Sequence, residues 1–202
     1  MLKLFHGPGS CSLAPLIALH ETGAYFDLVV IDLKAGTQRD PEYLAINPKG
    51  RVPALATEHG VLTENPAILT YIAMRFPDAN LAPLADPFAF ARMQSFNAFI
   101  ASTLQPGFGP IIRPEFYSDD EASFAALKRQ ALMNAAKNFD MIEQQLFKGP
   151  YVTGAQYTLA DLNLFVFSEA IARLKLDASK YPQILGHRER ISSRSAVKAA
   201  LR

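Results

Sequence analysis

One cysteine occurs in the 202-residue chain, in the stretch His6-Gly-Pro-Gly-Ser-Cys11-Ser12. It ends a Gly/Pro loop and precedes a periodic apolar segment. The thiolate is the nucleophile, and an ordinary cysteine has a pKa of about 8.5. A helix start offers unpaired N–H donors and a partial positive charge, and Cys11 sits where such donors point. Gly7 and Gly9 allow close approach of a substrate to the backbone. The alternative is a packed core thiol, since cysteine is among the most buried residue types. His6 has two readings as well: a base or donor beside the thiol, or a strand-end imidazole bonded to the loop. Further along, Val52-Pro53 precedes a strand, which suits the extended residue expected before proline. Glu64-Asn65 stands at a helix start. There a carboxylate and an amide can hold a ligand's ammonium and carboxylate, or Asn65 can simply cap the helix. His20, His59 and His187 show no metal-ligand spacing, so no metal is expected. His20 is expected to pack on its helix, His59 to sit in a turn and His187 to be solvated.

The elements that must hold these groups follow from periodicity. Leu2 to Phe5 reads as a strand stopped by Gly7-Pro8-Gly9. Ser10 or Ser12 opens a helix with Leu13, Leu16, Ile17 and His20 on one face, ended by Gly23. Phe26 to Leu33 reads as a more buried strand. Pro41 to Leu44 reads as a short helix, and 47–53 as loop. Glu58-His59-Gly60 joins two short strands in a hairpin, and Asn65-Pro66 starts a helix with Asn at the N-cap and Pro at the first position. A strand–helix–strand unit followed by a hairpin predicts a mixed four-stranded sheet. Pro77, Pro83 and Pro87 stiffen a linker, and strand signals then vanish. Phe88 to Leu104 reads as a helix broken at Gln105-Pro106, and Ser118-x-x-Glu121 as a capping box opening a helix to about Phe147. Thr158-Leu-Ala-Asp161 opens another, and a last helix follows Tyr181-Pro182. The fold class is therefore α/β plus all-α, with residues 1–77, a linker over 78–86 and a helical domain over 87–202.

Composition narrows the function classes. Half of the residues are hydrophobic, 19% are charged and the formal net charge is +1, so nothing draws the chain to nucleic acid. No apolar stretch spans a bilayer and the N-terminus lacks a signal-peptide pattern, so neither a membrane nor secretion is expected. A single cysteine excludes an intrachain disulfide, and a cytoplasmic location is expected.

Four stretches together resemble the glutathione S-transferases, most closely the bacterial beta class. They are Phe5-His6-Gly-Pro-Gly-Ser-Cys11-Ser12-Leu13, Asn47-Pro-Lys-Gly-Arg-Val52-Pro53-Ala-Leu55, Thr63-Glu64-Asn65-Pro66-Ala-Ile68 and Thr158-Leu-Ala-Asp161. The resemblance covers essentially the whole chain. It implies a thioredoxin-like glutathione-binding domain, a helical bundle domain and a homodimer. It places Cys11 beside the glutathione sulfur, Val52 against the cysteinyl backbone and Pro53 as a cis-proline. Glu64 and Asn65 hold the γ-glutamyl end and Lys34 the glycine end. Ser10 beside Cys11, Asn97 next to the Ala98 that aligns with relatives' helix-four Asn, and Gln105 complete the implied binding set. Thr158 and Asp161 are implied to be a structural capping pair. Three positions depart from the family pattern: His6 stands where Tyr is common, Gln105 where beta-class members often carry His, and Asn65 where Ser is usual.

The activity this implies is conjugation of the glutathione thiolate to small, largely apolar electrophiles, with Cys11 and His6 as candidate catalytic residues. Two alternatives stand beside it. One is a glutathione-dependent thiol–disulfide reductase or peroxidase working through a Cys11 mixed disulfide. The other is a low-turnover binder of glutathione or apolar ligands, with Phe108, Ile111, Ile112, Phe116 and Tyr117 lining a pocket.

Overall fold

Leu2–His6 forms β1, whose alternation puts Leu4 on one face and Phe5 on the other. In this computed structural model, which describes residues 1–202, β1 pairs in parallel with β2 (Phe26–Val30) and antiparallel with β3 (Ala54–Thr57). β3 turns at Glu58-His59 into β4 (Gly60–Thr63), so the sheet order is β2-β1-β3-β4. The helix between β1 and β2, α1 (Leu13–Thr22), ends at Gly23, whose φ of 66° only glycine adopts easily. Pro15 sits in the first turn of α1, where a missing N–H costs nothing. α2 (Pro41–Ile46) follows a short 3-10 turn, and α3 (Asn65–Arg75) follows β4.

One face of the sheet buries Phe5, Ile31 and Ala54 with Tyr43 of α2, the Phe5 and Tyr43 rings meeting edge-on at 5.7 Å. The other face buries Leu4 and Leu55 completely, with α1 packed on β1 and on α3. β2 corrects an expectation. It ends at Val30, and Leu28 and Val30 are 46% and 59% exposed. Sheet order is the reason: β2 is an edge strand, so only Val29 and the following Ile31 reach the core.

The chain divides into two compact units, residues 1–90 with 191–202, and residues 91–190. The first thus includes α10 (Ser195–Ala200), a segment expected within the helical half, which packs on α1. Arg194 clamps Glu21 of α1 through Nε at 2.6 Å and through a second nitrogen at 2.9 Å. Asp86 caps α4 (Pro87–Phe99), accepting from the N–H groups of Phe88 and Ala89.

Within the second unit α4 does not break at Gln105-Pro106. It runs on through a π-helical turn over Ile100–Leu104 into α5 (Gln105–Gly107) and then α6 (Gly109–Ile112). Pro106 has no N–H for an α-helical bond and its ring would strike the carbonyl four residues back; the wider turn accommodates it. Ser118 does not cap the next helix either. Asp120 accepts from the Ala122 N–H in a 3-10 turn, and α7 (Phe124–Met141) follows, ending in a second π turn. α8 (Leu159–Arg173) opens on the expected capping box of Thr158 and Asp161. α9 (Pro182–Ser192) and α10 together replace the single last helix expected. Phe108 stacks on Phe139 and Phe167, so it belongs to the core of this unit and not to a ligand pocket. Ile112, Phe116 and Tyr117 are exposed. No helix is long and apolar enough to cross a membrane.

His187 overturns its expectation of solvation. It is fully buried, and its Nε2–H donates to Asp161 Oδ1 at 2.9 Å. Asp161 also accepts from the N–H groups of Val152 at 2.8 Å and Thr158 at 2.7 Å, and from the Thr158 hydroxyl. One carboxyl group therefore ties a loop, a helix start and α9 together.

Candidate functional site

The loop between β1 and α1 is shaped by Gly7 and Ser12. A Cβ on Gly7 would fall 2.8 Å from Leu33 Cγ and 3.1 Å from a Val52 methyl, so only glycine lets these segments meet. Ser12 Oγ is the hub beneath the loop. It accepts from the Gly7 N–H at 3.0 Å and contacts His6 Nδ1 at 2.8 Å and Ser10 Oγ at 2.7 Å. His6 is buried, and burial, the larger influence, pushes its imidazole below the ordinary value while the Ser12 contact acts the other way. Of the two readings of His6, the loop-bonded one fits this geometry.

Cys11 is half-buried and in no disulfide. Its Sγ–H donates to the Val52 carbonyl at 3.8 Å, joining two stretches 41 residues apart in sequence. The Val52-Pro53 peptide bond is cis. The N–H donors at the start of α1 do not point outward as expected. Ser12 N–H donates to Ser10 Oγ, Leu13 N–H to the Ser10 carbonyl and Ala14 N–H to the Cys11 carbonyl. These donors are satisfied within the turn, and the Ser12 hydroxyl bonds back to Gly7 and His6 and does not cap the helix.

The loop carrying Val52 is pinned at Arg51. The Arg51 carbonyl accepts from Tyr43 Oη at 2.7 Å and from Asn47 Nδ2 at 2.6 Å. Burial, the larger influence, raises the Tyr43 phenol's pKa, so it stays a donor there.

At the start of α3, Glu64 takes the N-cap place, with a φ of 72°, and Asn65 is the first helical residue, buried; the expected order was one residue later. Glu64 is exposed and its Oε1 accepts from Lys49 Nζ at 2.6 Å, which also donates to Thr63 Oγ1 at 3.0 Å. A positive φ on a non-glycine residue holds the Glu64 side chain in an orientation the helix would not give it. Lys49 and Ser12 are the two participants that residue types alone did not single out.

Lys34 lies on an exposed turn whose N–H groups at 34 and 35 donate to Asp32 Oδ1; those bonds hold the Asp32 carboxyl below its usual range. Asn97 and Gln105 belong to the second unit. Asn97 is buried, donates to Gln94 Oε1 at 2.8 Å and accepts from Asn163 Nδ2 at 2.8 Å, both within that unit. Gln105 is half-buried at the start of α5.

Comparison with known proteins gives these residues their context. Residues 1–74 match the model of the glutathione S-transferase N-terminal domain, and residues 99–195 that of the C-terminal domain. The chain is 34% identical to glutathione S-transferase GstA of Escherichia coli O157:H7, over 99% of this chain and 97% of that one. A glutathione transferase homologue from Sulfitobacter, solved with bound glutathione, superposes with a TM-score of 0.94 at 36% identity, covering 100% of this chain and 97% of that one. The bacterial beta-class enzyme of Sphingomonas chungbukensis superposes with a TM-score of 0.86 at 38% identity, covering 98% and 96%. With both halves matched in order and the likeness running over nearly the full length, the chain belongs to the glutathione S-transferase family.

Proposed function

We propose that this chain conjugates glutathione to small, largely apolar electrophiles, with its glutathione subsite on the first unit. The Cys11 contact to Val52 carries the reading, because it draws the loop of β1–α1 to the stretch that would pair with the peptide. In this account the Val52 backbone bonds to the cysteinyl residue beside cis-Pro53. Glu64 accepts the γ-glutamyl ammonium, and the N-terminus of α3 favours the adjacent carboxylate. Ser10 and Lys34 serve the cysteinyl and glycine ends. Asn65 supports the γ-glutamyl end from its buried place in the first turn. Binding the thiol beside Cys11 favours its thiolate. The sulfur lone pair then forms a bond to the electrophilic carbon; the displaced electron pair leaves with a leaving group or, in an enone or epoxide, moves to an oxygen of the substrate that takes a proton from solvent, and the thiol proton passes to solvent. The working form is a cytoplasmic homodimer.

Steady-state assay of a panel of halogenated nitroaromatics, enones and epoxides tests this. Glutathione-dependent turnover of at least one class is expected, and none across the panel overturns the reading. The half-buried Cys11, which stands in no disulfide, favours one second reading: exchange through a Cys11–glutathione mixed disulfide. Full disulfide-reductase activity in Cys11→Ala would eliminate it.

A further inference from the structure

The proton directions in the loop from His6 to Ser12 are not independent. Ser12 Oγ has one proton and two lone pairs. The Gly7 N–H occupies one lone pair at 3.0 Å. One proton and one lone pair remain for His6 Nδ1 at 2.8 Å and Ser10 Oγ at 2.7 Å, with the Gly7 carbonyl at 3.3 Å the weaker acceptor. Ser10 Oγ already accepts from the Ser12 N–H at 3.2 Å. Two arrangements satisfy both short contacts. With Nδ1 bare, Ser12 donates to His6 and accepts from Ser10, so the Ser10 proton points into the loop. With a proton on Nδ1, His6 donates to Ser12 and Ser12 donates to Ser10. The Ser10 hydroxyl is then left to donate outward, one residue before Cys11.

We propose that His6 is a positioning residue for the sulfur chemistry, setting through Ser12 whether Ser10 offers a hydrogen-bond donor or an acceptor beside Cys11. The inference rests on the glutathione subsite of the preceding section. A thiolate needs donors, and three N–H groups at the start of α1 are spent within the turn. Thiolate at the site therefore favours a proton on Nδ1, and by linkage that proton lowers the thiol pKa by the same coupling. Val30, paired with His6 from β2, and Leu33 and Val52, set against Gly7, are uncharged; Cys11 is the other titratable group of the loop. Burial keeps the ring neutral near pH 7, so which nitrogen holds the proton is a choice the ligand can bias.

Nitrogen-15 shifts of the His6 ring, read with and without saturating glutathione, test this directly. The ligand-free ring is expected to hold its proton on Nε2 and the liganded ring on Nδ1. In parallel, thiolate absorbance in a pH titration, taken as the difference from ligand-free protein, gives the thiol pKa of bound glutathione. Ser10→Ala is expected to raise it by about one unit, the worth of one hydrogen bond to a charged group. His6→Phe is expected to raise it by less, and by nothing further in the Ser10→Ala background. A His6 ring that keeps its proton on Nε2 in the saturated protein, or an unmoved thiol pKa in Ser10→Ala, overturns the relay alone. No glutathione signal in the unmutated protein overturns the subsite and the relay with it. If His6→Phe does not fold, the ring shifts and Ser10→Ala decide the matter.

Discussion

Replacing Asp161 with Asn keeps the shape of the side chain and removes its capacity to accept on both sides. One oxygen serves the Val152 N–H and His187 Nε2–H, the other the Thr158 N–H and hydroxyl. The amide nitrogen must face one of these pairs. The Thr158 side is the less costly, because its hydroxyl can reverse and accept. The Thr158 N–H is then buried without a partner, and the other two bonds lose their charge assistance. An unsatisfied buried donor costs about 1–3 kcal/mol, and weakening two charge-assisted bonds adds roughly 1–2 kcal/mol. The expected loss is about 3 kcal/mol, or roughly 10 °C in Tm for a chain of this length. Denaturant unfolding at fixed protein concentration measures it, with the midpoint falling and the slope unchanged. His187→Leu, which leaves the capping box intact, should cost less than Asp161→Asn. A loss below about 1 kcal/mol in Asp161→Asn would show that this carboxyl does not organise the helical unit.

Three further outcomes follow from the packing and the titration of the first unit. Gly7→Ala forces Leu33 and Val52 apart and should cost about 1–3 kcal/mol in unfolding free energy, with a slower reaction of Cys11 and a thiol reagent read alongside. His6 is held below its unfolded pKa of about 6.5, so the unfolded chain binds the extra proton first. Its contribution is present above that pH and is lost as pH falls toward the folded value, so His6→Gln should flatten the fall in stability between about pH 7 and 5. Arg194→Gln breaks the forked contact with Glu21 and should cost about 1 kcal/mol, with hydrogen exchange accelerated in α10 before the sheet.

What could be read from the residues was local. The loop of Gly7-Pro8-Gly9, the glycine ending α1, the hairpin at Glu58-His59 and the capping box at Thr158 each depend on neighbours a few positions away, and each is found where expected. The misreadings depend on distant partners. Leu28 and Val30 looked like core residues until the sheet order made β2 an edge. His187 looked solvated because its partner, Asp161, lies 26 residues away. The chemistry divided the same way. Cys11, Val52 and Glu64 could be picked out by type and motif, whereas Ser12 and Lys49 are ordinary residues whose roles come from where the backbone brings them. Asn97, considered because it stands next to Ala98, bonds to Gln94 and Asn163, partners three and 66 positions away.

The central claim is that the first unit binds glutathione through Val52 and the carboxylate of Glu64. Calorimetric titration with glutathione of the unmutated chain and of Glu64→Gln tests it most directly. Saturable binding at millimolar or lower concentration is predicted, weakened about tenfold in Glu64→Gln by the loss of one charge-assisted bond to the ligand ammonium. Absence of binding to the unmutated chain, or equal affinity in the variant, would contradict the account.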